Sequence, residues 1–335
     1  MSKQKLTIYK LHFISPVHIG DGRDDYGVSL KTISSDAIYA ALISCLAKVG
    51  KDIPNNGDLG GYISSLFPFY QKDHSTESIL FFPKPLKSSL PNLSDLTKAK
   101  LVKKVVWLDK PYFEKVINGE SLFSCDADID NIHGEYLLSN APNDFNEKFV
   151  TSHVSQRVVV SRDASKDAVP FYMDRVFFEG YSGLYFIVKG ETELIETALN
   201  ILQHEGVGTD RNVGNGFFVY EKDAIELNIP DHSSYAMSLS MYIPESKERL
   251  ESQLNGEKIS YEIVRRGGWV TTTPFNTIRK NVIYGFTAAS VFGESMDSIS
   301  VMGRIVDLKP GIEGNLKLDH SIWRCGKALF IPIKI

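Results

Sequence analysis

The residues best suited to chemistry lie in one loop, 206–216, where four glycines surround a central arginine. The glycines are Gly206, Gly208, Gly214 and Gly216, and the arginine is Arg211. Glycine lacks a Cβ atom, so backbone N–H groups in such a loop can approach an anion closely. Arg211 offers a second donor group suited to phosphate. The pattern predicts an anion-binding loop, and a plain flexible connector remains the alternative.

Two common phosphate-binding motifs are excluded. In the dinucleotide pattern GxGxxG, the third glycine after Gly206 and Gly208 would fall on Arg211. The loop also follows a predicted helix and precedes a predicted strand, which is the reverse of the dinucleotide-binding order. No GxxxxGK[ST] sequence occurs in the chain. We therefore expect no nucleotide cofactor.

A second concentration of functional residue types lies in residues 153–179. It combines basic and aromatic side chains, namely Arg157, Arg162, Lys166, Arg175, Phe171 and Tyr172. Arginines and aromatics together suit single-stranded RNA, through phosphate contacts and base stacking. Four acidic residues balance the charge: Asp163, Asp167, Asp174 and Glu179. A salt-bridged surface hairpin is therefore an equally good interpretation of the sequence.

Other candidate sites are weak. His18, next to Gly20, is the best-placed histidine for an acid–base role, but no partner residue is indicated and a structural role is more common. Asp126, Asp128 and Asp130 resemble the start of a calcium loop, which fails because its twelfth position is Leu137. The cysteines Cys45, Cys125 and Cys325 are far apart, so neither disulfides nor a cysteine-based metal site is expected.

The composition of the chain indicates the broad class of protein to which it belongs. The chain has 335 residues and a formal net charge of −4, so any nucleic-acid site must be local, since generic nucleic-acid binders usually carry a basic excess. No apolar run reaches the length of a membrane span, and the first residues lack the apolar segment of a signal peptide. We expect a cytoplasmic globular protein with no membrane partner.

Hydrophobic periodicity predicts an α+β fold. The pattern over residues 6–225 is strand, helix, strands, helix, strand, which matches a βαββαβ ferredoxin-like unit. The strands are predicted at 7–13, 79–82, 153–160, 171–179, 184–188 and 217–220, and the helices at 35–49 and 191–204. The pair 153–160 and 171–179 forms a long hairpin inserted into this unit. Residues 51–150 have no clear assignment and are interpreted as largely an insertion.

The sequence divides into two predicted domains. An N-terminal ferredoxin-like domain covers 1–228, with an inserted thumb hairpin at about 150–180 and the glycine-rich loop at 206–216. Asn228-Ile229-Pro230-Asp231 has the composition of a linker. A degenerate, strand-rich ferredoxin-like domain then covers 229–335. Its strands are predicted at 235–243, 264–272, 282–286, 301–308 and 328–333, and its helix at 245–254.

Several segments together resemble the RAMP superfamily of CRISPR proteins, and within it subunit 4 of the type III-A Csm effector complexes. The segments that carry the resemblance are Ser15-Pro16-Val17-His18-Ile19-Gly20, residues 34–42, Val160-Ser161-Arg162-Asp163, residues 170–175 and the loop 206–216. The resemblance runs in order through the chain and is strongest over 11–46 and 153–218. Each motif is common alone, and their ordered combination is specific.

The resemblance implies a non-catalytic subunit with two ferredoxin-like domains and a thumb hairpin. Such a subunit grips the repeat-derived 5′ tag of crRNA and bridges the large polymerase-type subunit to the backbone RAMP subunit. His18, Gly20 and Ser35 would lie beside the tag, where the helix beginning near Asp36 would offer its amides to phosphate. The other RNA-binding residues implied are those of the thumb and the glycine-rich loop, namely Arg157, Arg162, Phe171, Arg175, Gly206, Gly208, Arg211, Gly214 and Gly216.

Two other functions stay open at this point. The first is a RAMP-fold endoribonuclease that processes precursor crRNA with His18 as its base, and the second is a scaffold that uses thumb and loop only for protein contacts. Asp210 departs from the family pattern, because it places a negative charge beside the phosphate-binding arginine. Whether Asp210 and Arg211 face RNA or a protein neighbour is left open by the sequence.

Overall fold

The computed structural model describes residues 2–20, 26–86, 96–123, 126–163, 165–312 and 317–335. The helices are α1 Ser35–Lys48, α2 Leu96–Lys104, α3 Lys110–Ile117, α4 Asp126–Asp130, α5 Glu193–Glu205 and α6 Lys247–Gln253. The strands up to residue 229 are β1 Ser2–Phe13, β2 Gly61–Ile63, β3 Phe67–Tyr70, β4 Ile79–Pro83, β5 Trp107–Asp109, β6 Ile132–His133, β7 Tyr136–Leu137, β8 Val150–Val159, β9 Val169–Phe178, β10 Gly183–Gly190 and β11 Phe218–Ile229. The later strands are β12 Ser233–Ser238, β13 Ile263–Arg266, β14 Ile283–Phe286, β15 Val291–Met296, β16 Ser300–Met302, β17 Ile305–Asp307, β18 Trp323–Cys325 and β19 Ala328–Pro332.

The central sheet forms because strand β1 is apolar on both faces. Tyr9 and Leu11 point towards helices α1 and α5 and share a core with Leu42 and Leu199. Residues on the opposite face of β1, such as Ile8, belong to a second core. Burying a side chain of this kind contributes about 1.5–3 kcal/mol each, so the strand is held from both sides.

Strand β1 and three further strands of the central sheet follow the order β11-β1-β10-β3, and every neighbouring pair is antiparallel. The predicted strands and helices of this unit are confirmed, with one difference. The strand predicted at 217–220 is much longer, because β11 pairs with β1 along its whole length as far as Ile229. The segment predicted as a linker therefore begins inside this strand, where Ile229 is fully buried.

The strands within residues 51–150 join the central sheet and do not form a sheet of their own. They extend the central sheet beyond β3 in the order β4-β5-β7-β6, while α3 packs against this extension. Phe82 stacks on Phe113 with ring centroids 4.4 Å apart, which fastens the helix to the sheet. The sequence lacked a clear pattern here because the strands are two to five residues long and the periodicity is too short to recognise.

Strands β8 and β9 form a two-stranded sheet of their own, in a continuous antiparallel register from Val150–Phe178 to Val159–Val169. The predicted long hairpin is therefore confirmed.

The C-terminal part is strand-rich, as predicted, with a sheet in the order β15-β12-β19-β16 and the helix α6. The strand predicted at 301–308 is divided into β16 and β17 at Gly303, whose φ is +108°. Met237, Leu239, Leu329 and Ile331 of this part share the core that contains Ile8. Among the described residues, no helix combines the length and apolar character needed to cross a membrane.

Candidate nucleic-acid interface

Residues 15–18, here named the strap, join the two regions that the sequence marked as functional. On one side Val17 pairs with Val176 of β9 through two backbone hydrogen bonds, of 2.9 and 2.7 Å. On the other side the carbonyls of Pro16 and His18 accept hydrogen bonds from Gly216 and Thr209, at 2.8 and 2.9 Å. The base of the hairpin and the glycine-rich loop are therefore held side by side by one extended segment.

The glycines of the loop 206–216 are required by its backbone. Gly206, Gly208, Gly214 and Gly216 all have positive φ, between +78° and +91°. A Cβ atom on Gly208 would lie 2.3 Å from the carbonyl oxygen of His18, and one on Gly216 would lie 1.9 Å from that of Val207. Gly214 differs, because nothing lies within 4 Å of the position of its Cβ. Most of these glycines close the loop and seat it on the strap.

The exposed tip of the loop offers backbone donors. In the part of the chain that the structure describes, the N–H groups of Gly208, Asp210, Arg211 and Asn212 make no hydrogen bond. Asp210 adopts a left-handed conformation, with φ +54° and ψ +38°, and so turns the chain at this point. Free amides on a tight turn are the backbone arrangement that binds anions.

Arg211 is less available than the sequence suggested. Its Nη1 lies 3.7 Å from the carboxylate of Glu205, which also pairs with Lys48 at 2.6 Å. The same Nη1 donates a long hydrogen bond of 3.4 Å to the carbonyl of Gly206. Arg211 therefore fastens the loop to the end of α5, and the amides of the tip are its main free donors.

The hairpin has one basic face. Directly opposed residues share a face of an antiparallel pair, as do residues two apart along a strand. The register pairs Arg157 with Phe171 and His153 with Arg175, and so places all four on the same face. Arg175 lies with its guanidinium 5.7 Å from the ring of Phe177. These residues, Arg157, Phe171, Arg175, His153 and Phe177, are named the basic face.

The hairpin arginines have no acidic partner in the part of the chain that the structure describes. Among the described residues, no carboxylate lies within 4.0 Å of Arg157, Arg162 or Arg175. The acids of the hairpin have other roles. Asp163 caps the turn at Ser165, and the carboxylate of Asp174 accepts a hydrogen bond of 3.0 Å from the backbone of Ser29. A salt-bridged hairpin, the alternative interpretation, therefore does not describe these three arginines.

His18 holds the strap to the hairpin. Its side chain is only 2% exposed, and its Nδ1 donates a hydrogen bond of 2.6 Å to the carbonyl of Asp174. The ring also stacks on Tyr26 at 5.7 Å. His18 thus lies between the hairpin and the glycine-rich loop, and its buried side chain positions the strap. Gly20, two residues after His18, is half-buried.

Ser35 and the start of α1 correct another expectation. Ser35 is 4% exposed, its hydroxyl accepts a hydrogen bond of 2.8 Å from the N–H of Met241, and its own N–H donates to Ser65. Asp36 is fully buried between Arg266 and Arg324. The helix start is therefore enclosed by the C-terminal part of the chain, and its amides are not open to phosphate as the resemblance implied.

Sequence reasoning missed two residues that build this region. Tyr26 packs between His18 and Phe171, with its ring centroid 5.6 Å from that of Phe171, and its carbonyl accepts the N–H of Asp174 at 2.8 Å. Ser29 links Ile19 to Asp174 through its hydroxyl and its backbone N–H. An aromatic residue before Gly27 was the only local signal, because the partners lie about 145 residues further along the chain.

The structure gives little support to the other candidate sites. Asp126–Asp130 forms the short helix α4, not a calcium loop. In the described ranges, no group of three or more potential metal ligands is found. Cys45 and Cys325 are buried free thiols, and burial raises the pKa of Cys45 to about 11 and that of Cys325 to about 12. Cys125 lies outside the described residues.

Comparison with known proteins gives a consistent result. Residues 231–333 match the family described as the CRISPR Csm4 C-terminal domain. The whole chain is similar to the CRISPR system Cms protein Csm4 of Streptococcus thermophilus, with 25% identity over 346 residues that cover 98% of this chain and 99% of the relative. A protein of the same name from Thermococcus onnurineus (strain NA1) is 25% identical over 217 residues, covering 63% of this chain and 64% of that protein.

Solved structures share the fold. A chain in the crystal structure of a Csm1-Csm4 cassette in complex with cA4 is similar with a TM-score of 0.58 and 18% identity, over 99% of both chains. A chain in the Csm3-Csm4 subcomplex of a type III-A CRISPR-Cas interference complex is similar with a TM-score of 0.56 and 15% identity, over 99% of this chain and 100% of the other. Residues 231–333 therefore match the Csm4 C-terminal domain family, and the whole chain is similar to a Csm4 protein and shares the mixed α and β fold of Csm4-containing structures.

Proposed function

We propose that this chain is a non-catalytic crRNA-binding subunit of a type III-A Csm effector complex and that it grips the 5′ repeat-derived tag. The observation that carries the proposal is the strap, which joins the strand β9 that contributes Phe171 and Arg175 to the basic face with the glycine-rich loop and its open amides. Arginines, aromatics and free amides together suit the phosphates and bases of single-stranded RNA.

The free arginines support RNA rather than a purely internal role. Arg157 and Arg175 are half-buried, and their guanidinium groups contact a methionine sulfur and a serine hydroxyl, with no carboxylate partner among the described residues. A guanidinium without an acidic partner keeps its charge-assisted hydrogen bonds for a ligand. Because Arg157 and Arg175 share one face, this face is locally basic although the chain as a whole has a net charge of −4.

A ferredoxin-like architecture is part of the proposal. The antiparallel order β11-β1-β10-β3, with α1 and α5 on one face, is the order expected of a βαββαβ unit. We assign residues 1–228 to this unit, with the hairpin as its thumb, and 229–335 to a degenerate second copy. The family match at 231–333 supports this boundary.

The partners are inferred from the relatives. Similar chains occur in solved complexes named for Csm1 with Csm4 and for Csm3 with Csm4. We therefore infer that this chain bridges a large polymerase-type subunit of the Csm1 kind to a backbone subunit of the Csm3 kind, in the cytoplasm.

The burial of His18 supports a structural role over ribonuclease chemistry. A general base must come within about 2.6–3.2 Å of the hydroxyl that it deprotonates, directly or through one water. His18 is 2% exposed and its Nδ1 is committed to the carbonyl of Asp174. Metal-independent cutting of repeat RNA by the isolated chain, abolished in His18→Gln, would instead establish the endoribonuclease.

The test of the proposal removes charge from the basic face. We expect Arg157→Ala with Arg175→Ala to reduce crRNA retention. The plot of log affinity against log salt concentration should also become less steep, by about 0.7 for each phosphate that the protein no longer neutralises. Retention is measured as RNA per complex after purification at increasing salt. Arg304→Ala is the matched control, because Arg304 is an exposed arginine of the C-terminal part.

The outcomes separate three functions. Unchanged RNA content in the double variant would remove the basic face from RNA binding. Normal assembly of the complex, with no crosslinks from this chain to RNA, would identify a protein scaffold. The proposal requires that the double variant loses RNA while Arg304→Ala retains it, and that the complex still assembles in both.

A further inference from the structure

Strands β13 and β14, here named the C-terminal hairpin, lie in the longest part of the sequence that has no acidic residue. Residues 263–293 contain no Asp or Glu, although the whole chain has 41 acidic residues. The same segment has four basic side chains, Arg265, Arg266, Arg279 and Lys280. A chain with a net charge of −4 therefore has a locally basic segment in its C-terminal part, and local positive charge of this kind suits a polyanion.

The inner face of the C-terminal hairpin is fixed to the rest of the chain. Arg266 donates hydrogen bonds of 3.0 Å to the carboxylate of Asp36 and to the hydroxyl of Ser34, at the start of α1. On the same face, Gly285 lies so close to Met241 that a Cβ atom on the glycine would be 2.5 Å from the Cε atom of Met241. The side chain of Arg266 is thus committed to α1, and the opposite face of the hairpin is directed towards solvent.

The outer face of the C-terminal hairpin places an arginine beside an exposed aromatic ring. The register opposes Arg265 to Tyr284, and successive residues of a strand point to opposite faces, so both lie on the face opposite to Arg266. Tyr284 is 61% exposed, and the exposed side chain of Ile263 shares its face. Directly opposed residues have Cβ atoms about 4.5–5.5 Å apart, so a planar ligand stacked on Tyr284 comes within reach of Arg265.

A second arginine of the segment lies on an aromatic ring just beyond the two strands. The guanidinium carbon of Arg279 is 4.8 Å from the centre of the Trp269 ring, and the two residues form an antiparallel β-bridge. A guanidinium group that stacks on a ring keeps the N–H groups in its own plane for a further acceptor. Both Arg265 and Arg279 are exposed, and within the described residues no carboxylate lies within 4.0 Å of either.

Single-stranded RNA fits this face better than a protein surface does. Its phosphates supply the negative charge that residues 263–293 lack, and its bases stack on exposed aromatic rings. A protein partner would have to bring acidic side chains to Arg265 and Arg279, and exposed ion pairs of that kind contribute little to binding. The combination of unpaired arginines and an exposed ring therefore favours RNA.

We propose that the outer face of the C-terminal hairpin is a second RNA-binding surface, in which Tyr284 stacks on a base while Arg265 and Arg279 bind phosphates of the same strand. This inference rests on the proposed function, because its ligand is the RNA of the complex. A purely structural role explains Arg266 through Asp36. It gives no reason for the exposed ring of Tyr284 beside an arginine that has no carboxylate partner in the described part of the chain.

The experiment measures binding of a 3′-labelled single-stranded RNA with the repeat sequence to the full-length chain, by fluorescence anisotropy at several salt concentrations. Tyr284→Ala should weaken binding roughly tenfold, as expected when the stacking of one base on an aromatic ring is lost. The dependence of binding on salt should not change, because no charge is removed. Tyr284→Phe should bind as the wild type does, because the ring remains.

Removal of the arginine should have a different effect. Arg265→Ala should weaken binding roughly fivefold, and the plot of log affinity against log salt concentration should become less steep by about 0.7. Arg265→Lys should keep the steepness of the wild type. Arg304→Ala is the matched control, because Arg304 is an exposed arginine of the C-terminal part that lies outside residues 263–293, and it should change neither quantity. Equal melting temperatures confirm that these exposed substitutions leave the fold intact.

The failures are distinguishable. If neither Tyr284→Ala nor Arg265→Ala weakens binding, while Arg157→Ala with Arg175→Ala loses RNA, the second surface is overturned and the proposed function stands. If the wild-type chain binds no RNA, both are overturned. If Tyr284→Ala binds RNA as the wild type does but loses a partner subunit from the purified complex, the outer face is a protein interface and the inference is overturned.

Discussion

Two glycines of the same loop provide a matched pair of perturbations. Gly208 and Gly214 both have positive φ, of +87° and +91°. A Cβ atom at Gly208 would meet the carbonyl oxygen of His18 at 2.3 Å, whereas one at Gly214 meets nothing within 4 Å. Replacing each by alanine therefore separates the cost of the backbone conformation from the cost of crowding the strap.

The expected magnitudes follow from this geometry. In Gly214→Ala, only the left-handed conformation is penalised, at about 1–2 kcal/mol. In Gly208→Ala, the strap must also move to restore an ordinary separation, which breaks the hydrogen bond from Thr209 to His18. Breaking this bond adds about 1 kcal/mol, giving a total of roughly 2–3 kcal/mol. Only Gly208→Ala displaces the strap, so only this variant should reduce RNA retention.

The assay is urea unfolding of both variants and the wild type, followed by circular dichroism, together with RNA content after purification. Equal stabilities for the two variants would show that Gly208 is not seated on the strap. Loss of RNA in Gly214→Ala at unchanged stability would show that the loop tip, and not its seating, is what matters.

Three further predictions follow from single interactions. Asp36→Asn should lower the free energy of unfolding by on the order of 3 kcal/mol in urea titrations, because it leaves Arg266 and Arg324 without a carboxylate, whereas Asp163→Asn at the exposed hairpin tip should cause no measurable change. His12 is buried against Tyr181, and burial lowers its pKa, so the unfolded state binds more protons and stability falls as pH drops below about 6.5. His12→Gln should flatten this part of the curve of melting temperature against pH, and an unchanged slope would exclude His12 as its source. Arg162→Ala should weaken RNA binding by about 1 kcal/mol or less, because its exposed side chain lies at the hairpin tip without an acidic partner among the described residues. The melting temperature of the variant should equal that of the wild type, and a lower melting temperature with unchanged RNA binding would contradict a binding role.

The sequence predicted elements with long, regular patterns. Helices α1 and α5 and strands β1, β9 and β10 combine clear periodicity with recognisable ends, and the structure confirms them within a few residues. Strand β11 was predicted too short, because the exposed charged residues 221–223 interrupt its apolar pattern. Its pairing with β1, more than 200 residues away, maintains the strand to Ile229.

The site was predicted in part for the same physical reason. The resemblance indicated the hairpin, the strap and the glycine-rich loop, and the structure brings these three together. What could not be predicted depends on interactions between distant residues. Ser35 gives no sign in the sequence that Met241 will cover it, and Asp36 gives no sign of its two arginines. From the local sequence alone, this helix end is predicted to be an open anion-binding site.

The most direct test of RNA binding by this chain is ultraviolet crosslinking of the complex purified from its native cell, followed by mass spectrometry and sequencing of the bound RNA. We expect crosslinks from peptides of the hairpin, 153–177, and of the loop tip, 208–214, to one fixed 5′ sequence shared by the bound small RNAs. A complex that contains these RNAs but crosslinks them only through other subunits would contradict the proposed function.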